Sequence, residues 1–468
     1  MTPGARIAAA IELLAEVDAH DRPADQVVQD YVRQRRFMGA KDRRAVTDMV
    51  FAAIRTRART AWWLALAGGA DGAQADAVAG GTPPDPRARM FAERILNAGW
   101  SVAQLAELCD GTGYNPPPPD ADERARLTAL EGQGLDDPRQ PDWVRLETPA
   151  WLLPAFQKGF GTAMEAELTA LRQEAPVDLR VNRLLADGPR EVSEALAVEQ
   201  IETQATPYSP LGLRLVGRRA VQATAPYRDG LVELQDEGSQ LIALLVAAKP
   251  GMAVCDFCAG AGGKTLALAA QMEDRGRLVA LDVDGERLGR AGPRLQRAGA
   301  RNVERRLLAT GEDGDGDPFL DENVGSFDRV LIDAPCTGVG AWRRQPDSRW
   351  RLSEHALRQR MDSQDRILAQ AAKLVKPGGR LIYATCSLLP QENRERTWAF
   401  QSAHPEFRQI PAAQVWAEAF ATRPDAAGGD GPAADAQDLT LTPARHGTDG
   451  FYVAVLERLS RANGGGGK

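Results

Sequence analysis

The chain has 468 residues, 43% of them hydrophobic, and a formal net charge of −7, which leaves room for about three domains that each bury a core. An acidic total excludes a uniformly basic coat, so any nucleic-acid contact has to come from a local patch. The five cysteines, Cys109, Cys255, Cys258, Cys336 and Cys386, are odd in number and scattered, which argues against a disulfide framework; with no signal-peptide pattern and no apolar run of membrane length, a soluble cytoplasmic protein is expected.

From Ile7 to about Leu66 apolar residues recur at helical spacing, first Ile7, Ile11 and Leu14, then Val27, Val28 and Tyr31, then Val46, Met49, Val50 and Ile54. With Pro23 as a break, the pattern predicts a helical bundle. Within it, Tyr31 to Thr60 sets Arg33, Arg35, Arg36, Lys41, Arg43, Arg44, Arg55, Arg57 and Arg59 against Asp42 and Asp48, a local excess of seven positive charges. Such a run is either a nucleic-acid patch or a solvated helix face. Residues 68–86, rich in Gly, Ala and Pro, are expected to form an exposed loop before helical spacing resumes at Met90, Ile95, Leu105 and Leu108. Prolines 116–119 stiffen a connector, and a first, helical domain is expected over residues 1–140.

Trp151 to Leu171 reads as a further amphipathic helix, Val177 to Asn182 as a strand, Val192 to Leu196 as a helix and Leu211 to Val216 as strand-like. Together they predict a small α+β module over residues 141–233. Polar residues Gln235 to Gln240 then cap a helix over Leu241 to Ala248.

Strand and helix patterns alternate from there: Ala253 to Phe257, a helix after Lys264, Leu278 to Val283, a helix from Glu286, Val303 to Leu308, Val330 to Asp333, a helix over Glu354 to Leu374, and Arg380 to Cys386. Alternation at this spacing predicts an α/β domain with a parallel, doubly wound sheet over residues 234–460, with Gly450 to Val455 as its closing strand. Gly311 to Asp321 and Thr422 to Asp438 are expected to be surface loops, and Gly464 to Lys468 a loose tail.

The first of these strands runs into Cys258-Ala259-Gly260-Ala261-Gly262-Gly263-Lys264-Thr265. Glycines let the backbone approach a ligand, and the helix that follows offers free N–H groups. Gly263-Lys264-Thr265 is like the end of a phosphate-binding P-loop, but the first glycine of that pattern is Cys258 here, so the NTPase reading is set aside. A nucleoside-binding loop of the methyltransferase kind accounts for more. The next strand ends in Asp282, eighteen residues after Lys264, where a carboxylate can accept from ribose hydroxyls. Cys255 and Cys258 lack a second pair, and His20, His355, His404 and His446 stand at no ligand spacing, so no metal is expected.

Two further strands end in cysteine: Leu331-Ile332-Asp333-Ala334-Pro335-Cys336 and Tyr383-Ala384-Thr385-Cys386. Parallel strands end on one edge, so both thiols and Asp333 converge beside the glycine loop. Carbon 5 of a pyrimidine is a poor nucleophile until a thiolate adds to carbon 6 and makes it an enamine. A carboxyl group must hold the base, and a proton must later leave carbon 5. The residues present supply those kinds of group.

These motifs, with Gln235 to Gln240, Arg180-Val181-Asn182 and Arg344-Gln345-Pro346-Asp347, resemble those of the Sun-domain RNA cytosine-5 methyltransferases from about Ala150 to Leu456. Residues 6–66, with Lys41-Asp42-Arg43-Arg44 and Val50-Phe51, resemble the NusB-like RNA-binding domain of the RsmB branch, which acts on ribosomal RNA. The resemblance implies a Rossmann-like class I methyltransferase domain, S-adenosyl-L-methionine as cofactor, RNA as partner, and a monomer without membrane attachment. It implies Cys386 as the nucleophile at carbon 6 and Cys336 as the thiol that resolves the adduct. Asp333 would bind the cytosine edge near the cofactor's methionine end, Lys264 would reach the base, and Cys258, Ala259, Gly260, Ala261, Gly262, Gly263, Lys264, Asp282 and Asp333 would hold the cofactor. The family's adenine-contacting acid has no clear match in Thr310-Gly311-Glu312-Asp313, with Asp313 as the candidate. Transfer RNA is the alternative substrate. A non-catalytic RNA-binding assembly factor is the alternative class, disfavoured because Lys264, Asp282, Asp333, Cys336 and Cys386 are all present.

Overall fold

The computed structural model describes residues 1–308, 311, 316–420 and 431–460. The loop expected over 422–438 lies partly outside them, and the candidate adenine contact Asp313 and the tail at 464–468 lie wholly outside. The chain forms two compact units, Met1–Glu174 with Trp342–Leu352, and Ala175–Ala341 with Ser353–Lys468. No described helix is long and apolar enough to cross a membrane.

The first unit is helical. Helices Pro3–Ala19, Ala24–Gln34, Ala40–Arg55, Arg57–Ala67, Pro86–Leu96, Val102–Leu108 and Ala121–Leu130 pack around Leu13, Tyr31, Val50, Trp62, Phe91 and Leu105. The loop expected at 68–86 contains a helix, Gly72–Gly80, because Asp71 and Gln74 form a capping box and its alanines favour helix, with Ala75 and Ala79 buried. The single helix expected over Trp151 to Leu171 is instead Leu153–Phe160 and Met164–Arg172, interrupted at Gly161, whose φ of 53° belongs to no right-handed helix. Arg349, fully buried, donates to the carbonyls of Glu147 at 2.9 Å and Leu171 at 3.0 Å and lies 4.9 Å from the Trp342 ring, fastening segment 342–352 into this unit.

The basic run is less free than its count implies. Arg35 pairs with Glu12, Arg44 with Asp48, and Arg59 with Asp136 and the fully buried Glu147. Most of these carboxylates lie outside residues 31–60, so a local tally misses them. Arg36 and Lys41 are exposed with no carboxylate partner among the described residues, and the Phe37 ring between them is 76% exposed.

The second unit holds two sheets. Strands β1 (Asp178–Val181), β2 (Thr203–Ala205), β3 (Gly212–Leu215) and β4 (Val232–Leu234) form an antiparallel sheet ordered β2-β3-β1-β4. The larger sheet contains β5 (Ala253–Asp256), β6 (Arg277–Asp282), β7 (Val303–Leu307), β8 (Phe327–Asp333), β9 (Val375–Thr385), β10 (Phe407–Ile410), β11 (Leu439–Leu441) and β12 (Phe451–Arg458). Its order is β10-β12-β9-β8-β5-β6-β7, with β11 paired to β12. Strands β5 to β9 are parallel, the Rossmann-like arrangement, with helix Glu237–Leu245 ahead of β5 and helices Gly263–Gln271, Gly285–Arg297 and Glu354–Leu374 in the connections.

The sheet is mixed rather than purely parallel. β12 runs antiparallel between β9 and β10, so its first residues, with Tyr452 opposite Thr385, lie where the parallel strands finish. Hydrophobic alternation carries no strand direction, and β10 is too short and polar to stand out. The acidic loop expected at 311–321 also ends in a short helix, Pro318–Glu322, capped by the Asp317 side chain.

Candidate active site

The parallel strands deliver their carboxyl-terminal residues to one edge: Asp256 from β5, Asp282 from β6, Asp333 from β8, and Cys386 directly after β9. A cleft of about 620 Å³ there is lined by Gly260, Lys264, Asp282, Asp333, Cys336 and Cys386, among others. The residues singled out from the sequence are thus brought together, apart from Asp313, which lies outside the described residues.

The glycine loop owes its shape to left-handed backbone. Gly260 and Gly262 have φ of 53° and 79°, and Gly262 caps helix Gly263–Gln271. A Cβ on Gly260 would meet the movable Arg287 guanidinium at 2.8 Å, so it is the positive φ there that favours glycine. Asp282 is nearly buried; one of its oxygens accepts from Gly260 N at 2.7 Å and the other from Asp284 N at 2.8 Å. The small sheet braces the same loop. Arg180 on β1 donates to the Gly263 carbonyl at 2.8 Å, and Arg294, paired at 3.0 Å with Glu233 on β4, donates to the Ala261 carbonyl at 2.6 Å. A strand-end carboxylate, a glycine cradle and a helix amino terminus fit a nucleoside cofactor.

Lys264 Nζ lies 2.6 Å from Asp333 Oδ2, with the lysine buried and the Asp333 side chain 33% exposed to the cleft. Burial works against the lysine's charge, but the Asp333 carboxylate outweighs it and holds the ammonium above its ordinary pKa. Beneath them, Asp256 is fully buried, and its Oδ2 accepts from the Thr265 hydroxyl at 2.6 Å. Burial pushes that carboxyl up to about 7, with Asp333 and Asp282 adding to the push and Thr265 and Lys264 opposing it.

The two thiols meet: Cys336 Sγ lies 3.3 Å from Cys386 Sγ. Their hydrogen bond and burial together hold the Cys336 thiol well above the ordinary thiol range. Backbone contacts fix the pair, with Ala334 N donating to the Ala384 carbonyl at 2.8 Å and Gly340 N to the Cys386 carbonyl at 2.9 Å. Gly340 in turn accepts from Gly450 N at 2.9 Å, and a Cβ on Gly340 would sit 2.1 Å from the Gly450 carbonyl oxygen. The antiparallel β12 thereby reaches the edge that carries the two thiols through the residue before its first.

Glu392 escaped the sequence reading. Fully buried, it accepts from Thr337 N at 2.8 Å, from the Thr337 hydroxyl, and from Gln364 Nε2 at 3.1 Å, while Gln364 also donates to the Pro335 carbonyl at 3.0 Å. The available signal was a carboxylate in a Pro-Gln-Glu-Asn cluster directly after a cysteine-ended strand.

Among known proteins, residues 243–457 match the family model described as 16S rRNA methyltransferase RsmB/F, and residues 148–222 match that of the RsmF/B-like methyltransferase ferredoxin-like domain. The chain is 29% identical over 470 residues to a Synechocystis sp. protein named "Probable ribosomal RNA small subunit methyltransferase B", covering 95% of this chain and 98% of the relative. It is 30% identical over 319 residues to the ribosomal RNA small subunit methyltransferase B of Shewanella oneidensis, covering 68% of each. Its fold is similar to the crystal structure of PH0851, with a TM-score of 0.73 at 24% identity over 98% of this chain and 99% of that one.

Proposed function

The chain belongs to the RsmB/F family of 16S rRNA methyltransferases, and from that membership we propose that it methylates carbon 5 of a cytosine in small-subunit ribosomal RNA, using S-adenosylmethionine and a covalent adduct on Cys386. The observation that carries this reading is the 3.3 Å pair of Cys336 and Cys386 in one cleft with Asp333 and the glycine loop.

Residues 258–264 and Asp282 are assigned to hold the cofactor, which supplies an electrophilic methyl group when bound. Asp333, facing the cleft, accepts from the amino edge of the cytosine, and its 2.6 Å ion pair with Lys264 orients that carboxylate. The Cys386 thiolate adds to carbon 6, and its electron pair moves through the ring to make carbon 5 nucleophilic. Once carbon 5 is methylated, its proton leaves to a base, the sulfur–carbon 6 bond breaks, and the electrons return to Cys386. Cys336 acts in that release.

Calorimetry with S-adenosylmethionine tests the cofactor assignment. Asp282→Ala is expected to weaken binding by roughly 1–3 kcal/mol, since ribose hydroxyls and the Gly260 N–H lose their acceptor. Unchanged affinity would remove Asp282 from the site.

The helical unit is proposed to contribute RNA contacts through the exposed Arg36 and Lys41. Arg36→Ala and Lys41→Ala should each flatten the slope of log affinity against log salt by about 1 while sparing cofactor binding. A slope unaltered in the double variant would return this loop to the status of a solvated face.

A further inference from the structure

The turn between helices Ala24–Gln34 and Ala40–Arg55 holds an aromatic ring in water beside two cations, and we infer that Phe37 is a stacking platform for an unpaired base of the RNA, with Arg36 and Lys41 on the flanking phosphates. The inference rests on the RNA reading above and adds the form of RNA that the helical unit takes.

The turn is fixed from inside. Met38, next to the exposed ring, is 1% exposed, and its N–H donates to the Arg35 carbonyl at 3.0 Å. Arg35 lies 3.4 Å over the Tyr31 ring and pairs with Glu12. On the other side Asp42 accepts from Arg6 Nε at 2.8 Å, tying the start of helix Ala40–Arg55 to helix Pro3–Ala19. With its neighbours anchored, the Phe37 ring is presented in place, and binding does not have to order a loose loop.

The same contacts decide the charge around the ring. Asp42, the acid next to Lys41, is engaged by Arg6 and by the amino terminus, and Glu12 by Arg35. Arg36 and Lys41 are left exposed and without a carboxylate partner among the described residues. Tyr114 is more exposed still, but it stands in a stretch from Ile95 to Glu123 that holds no lysine or arginine. An apolar ring beside unpaired cations suits a polyanion that carries flat π faces, and that is the chemistry of nucleic acid rather than of an apolar protein surface. Inside a duplex each base face is already covered by its neighbours, so a ring on the protein surface can take a base only from a loop, a bulge or a strand end.

Affinity of the full-length protein for small-subunit ribosomal RNA, measured across salt, tests the inference. Phe37→Ala is expected to weaken binding at least about fivefold and to leave the slope of log affinity against log salt as it was, because no charge is lost. Phe37→Trp should restore the affinity. Phe37→Leu, apolar but without a π face, should not, and Tyr114→Ala should bind as the wild type does. A short single-stranded RNA should compete for the wild type better than the same sequence fully paired, and that preference should shrink in Phe37→Ala. Unchanged affinity in Phe37→Ala, restoration by Phe37→Leu, or equal competition by the duplex overturns the inference. A Phe37→Ala protein that binds bare RNA normally and loses affinity only for particles carrying ribosomal proteins would make the ring a protein contact and overturn it too. Variants behaving as expected in a protein that methylates no cytosine would overturn the methylation reading alone.

Discussion

Cys336→Ala is expected to accumulate protein bound covalently to RNA, and Cys386→Ala to show neither adduct nor methylation. Without the Cys386 sulfur no bond forms at carbon 6, carbon 5 never becomes nucleophilic, and turnover falls to background. With Cys386 intact and Cys336 absent, addition and methylation proceed, but release stalls and the sulfur–carbon bond survives denaturing electrophoresis. The sulfurs are in contact at 3.3 Å, so either could reach a base in the cleft, and geometry alone leaves two assignments. Trapped RNA in Cys386→Ala and none in Cys336→Ala would exchange the roles while keeping the reaction. Full activity in both variants would reject a covalent path.

Asp333→Asn should lower turnover by roughly a hundredfold to ten-thousandfold, the range associated with loss of a charged group acting on the reacting base. The amide preserves shape but can no longer accept with both oxygens, and it leaves the buried Lys264 without its 2.6 Å counter-ion. Cofactor affinity, measured in parallel on folded protein, should change far less than the rate. A loss of cofactor binding equal to the loss of rate would assign Asp333 to the cofactor rather than to the cytosine.

What could be read from the chain follows from the range of the interactions. Asp282, Asp333 and Cys386 were legible because each ends an apolar run, and parallel strands bring such ends to one edge whatever the side chains do in detail. Helix Glu354–Leu374 was legible because twenty-one residues keep one period. Helix Gly72–Gly80 was not, since glycine and alanine hide periodicity and its start depends on a capping box. The direction of β12 was invisible because an alternating pattern is the same in either sense. Glu392 meets Thr337 across 55 positions and Gln364 across 28, and Arg59 meets Glu147 across 88. Such pairings exist only once the fold has brought them together, which is why the positioning of Cys336 and the neutralised part of the basic run could not be anticipated.

The most direct test of the central claim is nucleoside mass analysis of unmodified small-subunit ribosomal RNA incubated with the purified protein and isotopically labelled S-adenosylmethionine. The account predicts label in 5-methylcytidine, at a single position on sequencing, and none when Cys386→Ala replaces the wild type. Label in another nucleoside, or undiminished 5-methylcytidine from Cys386→Ala, would contradict it.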